Sequence, residues 1–98
     1  MALSGKARRA LLAQAHGLKA RITLRAAELS DAAIEHVRAA LSVQPLLKVR
    51  IQTDDRSECD AAARALAERL GCELVRRIGR VVVLYRPEEP DTTAAEDE

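Results

Sequence analysis

Few residues in this 98-residue chain have both the type and the spacing that chemistry demands. His16, His36, Cys59 and Cys72 are its only histidines and cysteines, and no short Cys-x-x-Cys pair exists among them, so no zinc site is expected. Asp54-Asp55 sets two carboxylates side by side, as general acid–base chemistry would need. Their place between a strand and a capped helix favours a turn instead. Ser4, Ser30, Ser42 and Ser57 have no arranged histidine partner, and no Gly-x-x-x-x-Gly-Lys-Ser/Thr loop is present to cradle a phosphate. Cys72, at a strand start, reads as a small buried hydrophobe, whereas Cys59 beside a helix start leaves a redox role open. The expectation is a protein with no catalytic group, no cofactor and no metal.

Cationic side chains are the functional signal that survives. Lys19, Arg21 and Arg25 surround one short strand, Arg8 and Arg9 sit on the helix before it, and Lys48 and Arg50 occupy the polar face of another strand. Arg38 and Arg56 lie on or next to later helices, and Arg76, Arg77, Arg80 and Arg86 populate a terminal hairpin. Singly, each is an ordinary solvated arginine or lysine. Together they give Met1–Arg86 16 basic against 9 acidic residues, an excess of seven. The stretch from Pro87 to Glu98 carries 6 acidic residues and no basic one, which brings the whole chain to the formal +1. A body charged in this way attracts polyanions, and arginines and lysines of this kind meet phosphate oxygens without discriminating bases. Aromatics are 1% of the residues, Tyr85 alone, which argues against a sheet that stacks bases on rings.

The elements that must position these residues follow from periodicity. Ser4 caps a first helix to about Ala15, with Ala7, Leu11 and Ala15 in one stripe and Leu12 beside it. Arg21 to Leu24 alternates as a strand, with Ile22 and Leu24 on one face. Ser30 and Asp31 open a second helix striped by Ile34, Val37 and Leu41. Leu47, Val49 and Ile51 alternate with Lys48, Arg50 and Gln52 in the clearest half-buried strand. Ser57-Glu58-Cys59-Asp60 resembles a capping box for a third helix lined by Ala62, Leu66 and Leu70 and closed by Gly71. Cys72–Ile78 and Val81–Tyr85 make two strands around Gly79-Arg80, a pair suited to a type II′ turn.

The expected fold is a compact α/β domain, helix-strand-helix-strand-helix-strand-strand, with a four-stranded mixed sheet and helices over at least one face. Residues 1–87 form that domain, and the acidic tail 88–98, polar and without apolar period, reads as disordered. No apolar run approaches the roughly 18–20 residues that span a bilayer, and no leader pattern is visible. Two cysteines are too few for a stapled secreted scaffold. A cytoplasmic monomer is the expectation.

The chain also resembles the YhbY-like proteins, which carry a CRM domain (chloroplast RNA splicing and ribosome maturation). The resemblance runs from about Leu3 to Pro87. It rests on Leu11-Leu12, "AHGLKA" at Ala15–Ala20, "ELSDAAIEHVRAAL" at Glu28–Leu41, "LLKVRI" at Leu46–Ile51 and, most distinctively, "RRIGRVVVLYRP" at Arg76–Pro87. It implies a fold related to the C-terminal domain of translation initiation factor three. It also implies an RNA-binding protein associated with precursors of the large ribosomal subunit, with ribosomal RNA and ribosomal proteins as candidate partners. The residues expected to contact RNA are Arg21, Arg25 and Lys19, with Arg8 or Arg9 beside them, and then Lys48 and Arg50. One departure stands out. Where the family carries a Gly-x-x-Gly loop between the first strand and second helix, this chain reads Arg25-Ala26-Ala27-Glu28. Weaker backbone cradling of phosphate and heavier reliance on distributed arginines are expected. The alternative is a protein-interaction module that keeps the fold without binding RNA.

Overall fold

Local signals that switch between helical and strand periods produce seven elements. In a computed structural model that describes residues 3–87, these are α1 (Gly5–Ala15), β1 (Ile22–Arg25), α2 (Asp31–Val43), β2 (Leu46–Gln52), α3 (Arg56–Leu70), β3 (Glu73–Ile78) and β4 (Val81–Tyr85). The acidic tail 88–98, expected to be disordered, lies outside the described residues.

Side chains capture the free N–H groups at each helix start. Ser4 Oγ accepts from the Ala7 N–H at 3.0 Å, and Ser30 Oγ accepts from the Ala33 N–H at 3.1 Å. The third cap differs from the expectation at Ser57. Asp55 is the N-cap, accepting from the Ser57 N–H at 2.8 Å, and the helix begins at Arg56. A carboxylate two residues upstream captures the Ser57 and Glu58 N–H groups, starts the helix earlier and adds a negative charge at its positive end. At the other end, Gly71 takes a left-handed φ of 66°. The Cys72 N–H then reaches the Ala67 carbonyl and the Gly71 N–H the Glu68 carbonyl, the paired bonds of a Schellman turn.

The sheet order is β1-β2-β4-β3. Strands β1 and β2 are parallel, which requires the crossover that α2 provides. β4 runs antiparallel to both neighbours and is joined to β3 by Gly79-Arg80, where Gly79 has the positive φ of 62° expected of it. Val82, Val83 and Leu84 on β4 are all fully buried, as an interior strand covered on both faces demands.

Helices cover both faces. On one, α2 and α3 bury Ile34, Val37, Leu41, Cys59, Ala62, Ala63 and Leu66 against Ile22, Leu24, Leu47, Val49, Ile51, Val82 and Leu84. On the other, α1 contributes only Leu11 and Ala15, which meet Leu46, Val75 and Val83, with Leu3, Leu12, Leu18 and Tyr85 around them. The second core is smaller because α1 has only 11 residues.

A bulge between Leu74 and Arg76 interrupts the β3–β4 register. Leu74 pairs with Leu84, but Arg76 pairs with Val83 and Ile78 with Val81. Simple alternation would send Leu74, Arg76 and Ile78 to one face. The extra residue, Val75, moves Arg76 and Ile78 to the α1 face and turns Arg77 toward α3.

Truncating a side chain shared by several elements tests this packing. Leu84→Ala should lower unfolding free energy by about 2–5 kcal/mol in urea titrations followed by circular dichroism. Val43→Ser, at a residue 86% exposed on the end of α2, should change it by less than about 0.5 kcal/mol.

Candidate nucleic-acid interface

The carboxylates are unevenly placed in the fold. No Asp or Glu precedes Glu28, and β2 and β4 contain none, so the charged side chains of α1, β1 and β2 are all basic and β4 is uncharged. The ion pairs found among the described residues all involve α2 or α3. They are Arg38–Glu35 at 3.0 Å, Arg64–Asp60 at 3.0 Å, Arg69–Asp31 at 2.5 Å and Arg77–Asp60 at 3.6 Å. Lys19, Arg21, Arg25, Arg50 and Arg76 are exposed and form no ion pair among the described residues. Of the four arginines in the α2–α3 layer, Arg38, Arg64 and Arg69 are thus neutralised and Arg56 at the start of α3 is not, while none of the exposed cations on the opposite face of the sheet forms an ion pair among the described residues.

That unneutralised face is also the one α1 only half covers. Beyond the small α1 core, the outward positions Thr23 and Arg25 of β1, Arg50 and Gln52 of β2, and Arg76 and Ile78 of β3 are exposed. Cross-strand pairing makes Thr23, Arg50, Val81 and Ile78 one row across all four strands. At the C-terminal ends of β1 and β2 an open depression of about 630 Å³ is lined by Arg25, Arg50, Gln52, Asp54, Glu58 and Arg80. Arg80 is held there by donating from Nε to the Thr53 carbonyl, and the Thr53 hydroxyl donates to Glu58.

The structure sorts the residues named from sequence. Arg25 and Arg50 come together at the depression. Lys19, Arg21 and Lys48 gather at the opposite end of β1, around a smaller hollow of about 210 Å³. Lys48 is half-buried and donates from Nζ to the Leu18 carbonyl at 3.1 Å, so it ties the α1–β1 connection to β2. Arg8 is not beside this group. Its guanidinium reaches the far edge of the sheet and donates to the Leu74 carbonyl at 3.0 Å and to that of Val75, satisfying the backbone of the bulge. Arg9 is exposed on α1. Arg76, Arg80 and Ile78 join the open face although sequence reading left them out of the site. Alternation alone points Arg76 and Ile78 the wrong way, and only the bulge corrects it.

The Arg25–Glu28 turn does little with its backbone toward a ligand. The Ala26 N–H is bonded to the Gln52 carbonyl at 3.1 Å and the Glu28 N–H to the Arg25 carbonyl at 2.9 Å. At the following helix, Ser30 already fills one N-terminal donor and Asp31 adds negative charge to the first turn. Asp55 is occupied as a cap, and no cluster of three or more His, Cys, Asp or Glu side chains that could hold a metal ion exists among the described residues. Cys59 is fully buried, with its Sγ 3.8 Å from the Gly79 carbonyl oxygen. Burial, aided by the neighbouring Glu73, pushes the Cys72 thiol up to about 11 from its ordinary 9.0, so it is protonated at neutral pH.

Residues 3–86 match the CRS1/YhbY (CRM) domain, nearly the whole described chain. The protein belongs to the CRM domain family. YqeI of Bacillus subtilis, named a probable RNA-binding protein, is 30% identical over 84 residues, spanning 86% of this chain and 88% of its own. An RNA-binding protein of Haemophilus influenzae is 30% identical over 87 residues, covering 89% and 88% of the two chains. A Staphylococcus aureus protein proposed to bind RNA, with a known solution structure, aligns at a TM-score of 0.79 and 26% identity, over 92% of this chain and 94% of that one. The helix–strand alternation and mixed sheet expected from sequence are thus those of a CRM domain.

Two measurements separate structural from surface groups in this CRM domain. Arg8→Ala strips the bulge carbonyls of their donor and should destabilise the fold by about 1–3 kcal/mol, whereas Arg50→Ala should leave the urea midpoint in place. Cys72 tests burial at the sheet edge. Its alkylation rate should rise with a midpoint near pH 11. Because its folded pKa is raised, its contribution to stability is complete below about pH 9 and is lost as pH rises toward 11.

Proposed function

We propose that this protein binds RNA through the half-open sheet face, and that its RNA is ribosomal, met during assembly of the large subunit. One observation carries the first part: the exposed cations of β1, β2 and β3 form no ion pair among the described residues, while Arg38, Arg64 and Arg69 of the α2–α3 layer do. Unpartnered arginines keep their full charge for phosphate oxygens, with forked donors that fit them. Membership in the CRM family and the RNA-binding names of two relatives support the same reading. The ribosomal setting rests on the resemblance to free-standing bacterial members of the family, and it makes the large-subunit precursor the particle to test.

Side-chain forks are the main contact in this reading, because the turn that replaces Gly-x-x-Gly uses its Ala26 and Glu28 N–H groups internally. That same turn favours one competing reading, a module that has kept the fold and engages protein instead. Nuclease treatment separates the two. Association with large-subunit precursors that survives removal of accessible RNA would favour the protein partner.

Affinity for ribosomal RNA fragments measured across salt concentrations tests the RNA reading directly. The triple variant Arg21→Ala, Arg25→Ala, Arg50→Ala should bind more weakly, and its log–log salt slope should shrink by about 0.7–0.9 for each phosphate left without its cation. Unchanged affinity with an unchanged slope would remove this face from RNA recognition.

A further inference from the structure

The open half of the sheet is not uniformly cationic. On β3 and β4 it carries two apolar side chains that the fold leaves wholly or partly uncovered. Ile78 is 55% exposed on the edge strand β3, and Val81, its direct cross-strand partner, is half-buried. Arg50 is the cross-strand partner of Val81 on the other side, and Arg76 stands two residues from Ile78 on the same face. Neighbouring strands are about 4.8 Å apart and residues two apart on one strand about 6.6 Å. Ile78 and Val81 therefore form a small apolar floor with an arginine on each of two sides. Arg25 and Gln52 extend the surface toward the depression. The strand positions of this open half contain no carboxylate; Asp54 and Glu58 line that depression, and Glu28 shares an adjoining hollow with Thr23, Arg25 and Gln52.

A double helix has its phosphates and sugars outward and would press polar groups onto Ile78 and Val81. An unpaired base has an apolar plane about the size of that floor, and its flanking phosphates need cations beside it. Guanidinium planes can also stack on bases where aromatic rings are lacking. We propose that the open half of the sheet is a platform for single-stranded RNA. A base lies against Ile78 and Val81, and the adjoining phosphates are held by Arg50, Arg76 and Arg25. This inference rests on the RNA-binding reading above and adds to it a strand preference and an apolar contact.

Fluorescence anisotropy with the full chain and two labelled probes of equal length tests it, one an unstructured oligoribonucleotide and the other a perfect RNA duplex. The wild type should prefer the single strand. Ile78→Ser should weaken single-strand binding by about 5-fold, leave the salt slope unchanged because every phosphate keeps its cation, and leave duplex binding as it was. Ile78→Tyr should tighten single-strand binding by adding a ring to stack. Val43→Ser, at an exposed apolar residue on the end of α2 away from the platform, should bind like the wild type. Thermal melts of each variant show that folding is intact, which exposure of both positions leads one to expect.

If the wild type binds the single strand and both Ile78 variants match it, the platform is refuted while the RNA reading stands. Preference for the duplex refutes it too. If neither probe binds at low salt, the RNA reading fails and the platform fails with it.

Discussion

Strand β4 is the constraint on which the rest of the molecule depends. It lies between β2 and β3, with Val82 and Leu84 turned to the α2–α3 layer and Val83 to α1, and all three are fully buried. Its backbone pairs with both neighbours, so it joins the parallel β1–β2 unit to the terminal hairpin. Burial on both faces explains the unbroken apolar run Val81–Leu84, where a half-buried strand would alternate. It also leaves β1 and β3 as the two edges, which carry charged side chains that discourage pairing with other chains.

The unequal helical cover follows from that arrangement. One sheet face receives two helices of 13 and 15 residues, and the other receives one of 11. The two-helix layer holds Arg38, Arg64 and Arg69 in ion pairs, whose exposed geometry contributes little to stability. Their larger consequence is electrostatic, because they cancel charge on that side of the protein. The short helix leaves half of the opposite face open, in the part of the chain where carboxylates are scarce. Polarity of field thus arises from where acids are absent as much as from where arginines are placed.

Not every cation on the charged side is free to meet a ligand. Arg8 holds the bulge carbonyls and Lys48 holds the α1–β1 connection, so both serve the fold with the groups that would otherwise bind phosphate. The turn that replaces the family's glycine loop has likewise turned its Ala26 and Glu28 N–H groups inward. Recognition as we propose it is accordingly a property of side chains projecting from the sheet, with less contribution from backbone N–H groups of that turn.

Periodicity, capping residues and turn glycines are local, and they determined much of what the sequence by itself could say. The seven elements in order, the stripes of α2 and α3, the core face of β2 and the positive φ at Gly71 and Gly79 all follow from residues within a few positions of one another. Resemblance along the chain located the CRM family. The cap of α3 falls at Asp55 and not at Ser57 because both residues are good N-caps two positions apart, and sequence spacing does not rank the two. Tertiary structure alone decided which cations share a face, which are occupied by carbonyls and where α1 stops covering the sheet. It also decided the phase of β3, since one extra residue at Val75 reverses the direction of every side chain after it. No local pattern in Glu73–Ile78 announces that reversal, because it is fixed by pairing with β4 and by the α1 core beneath Val75 and Val83.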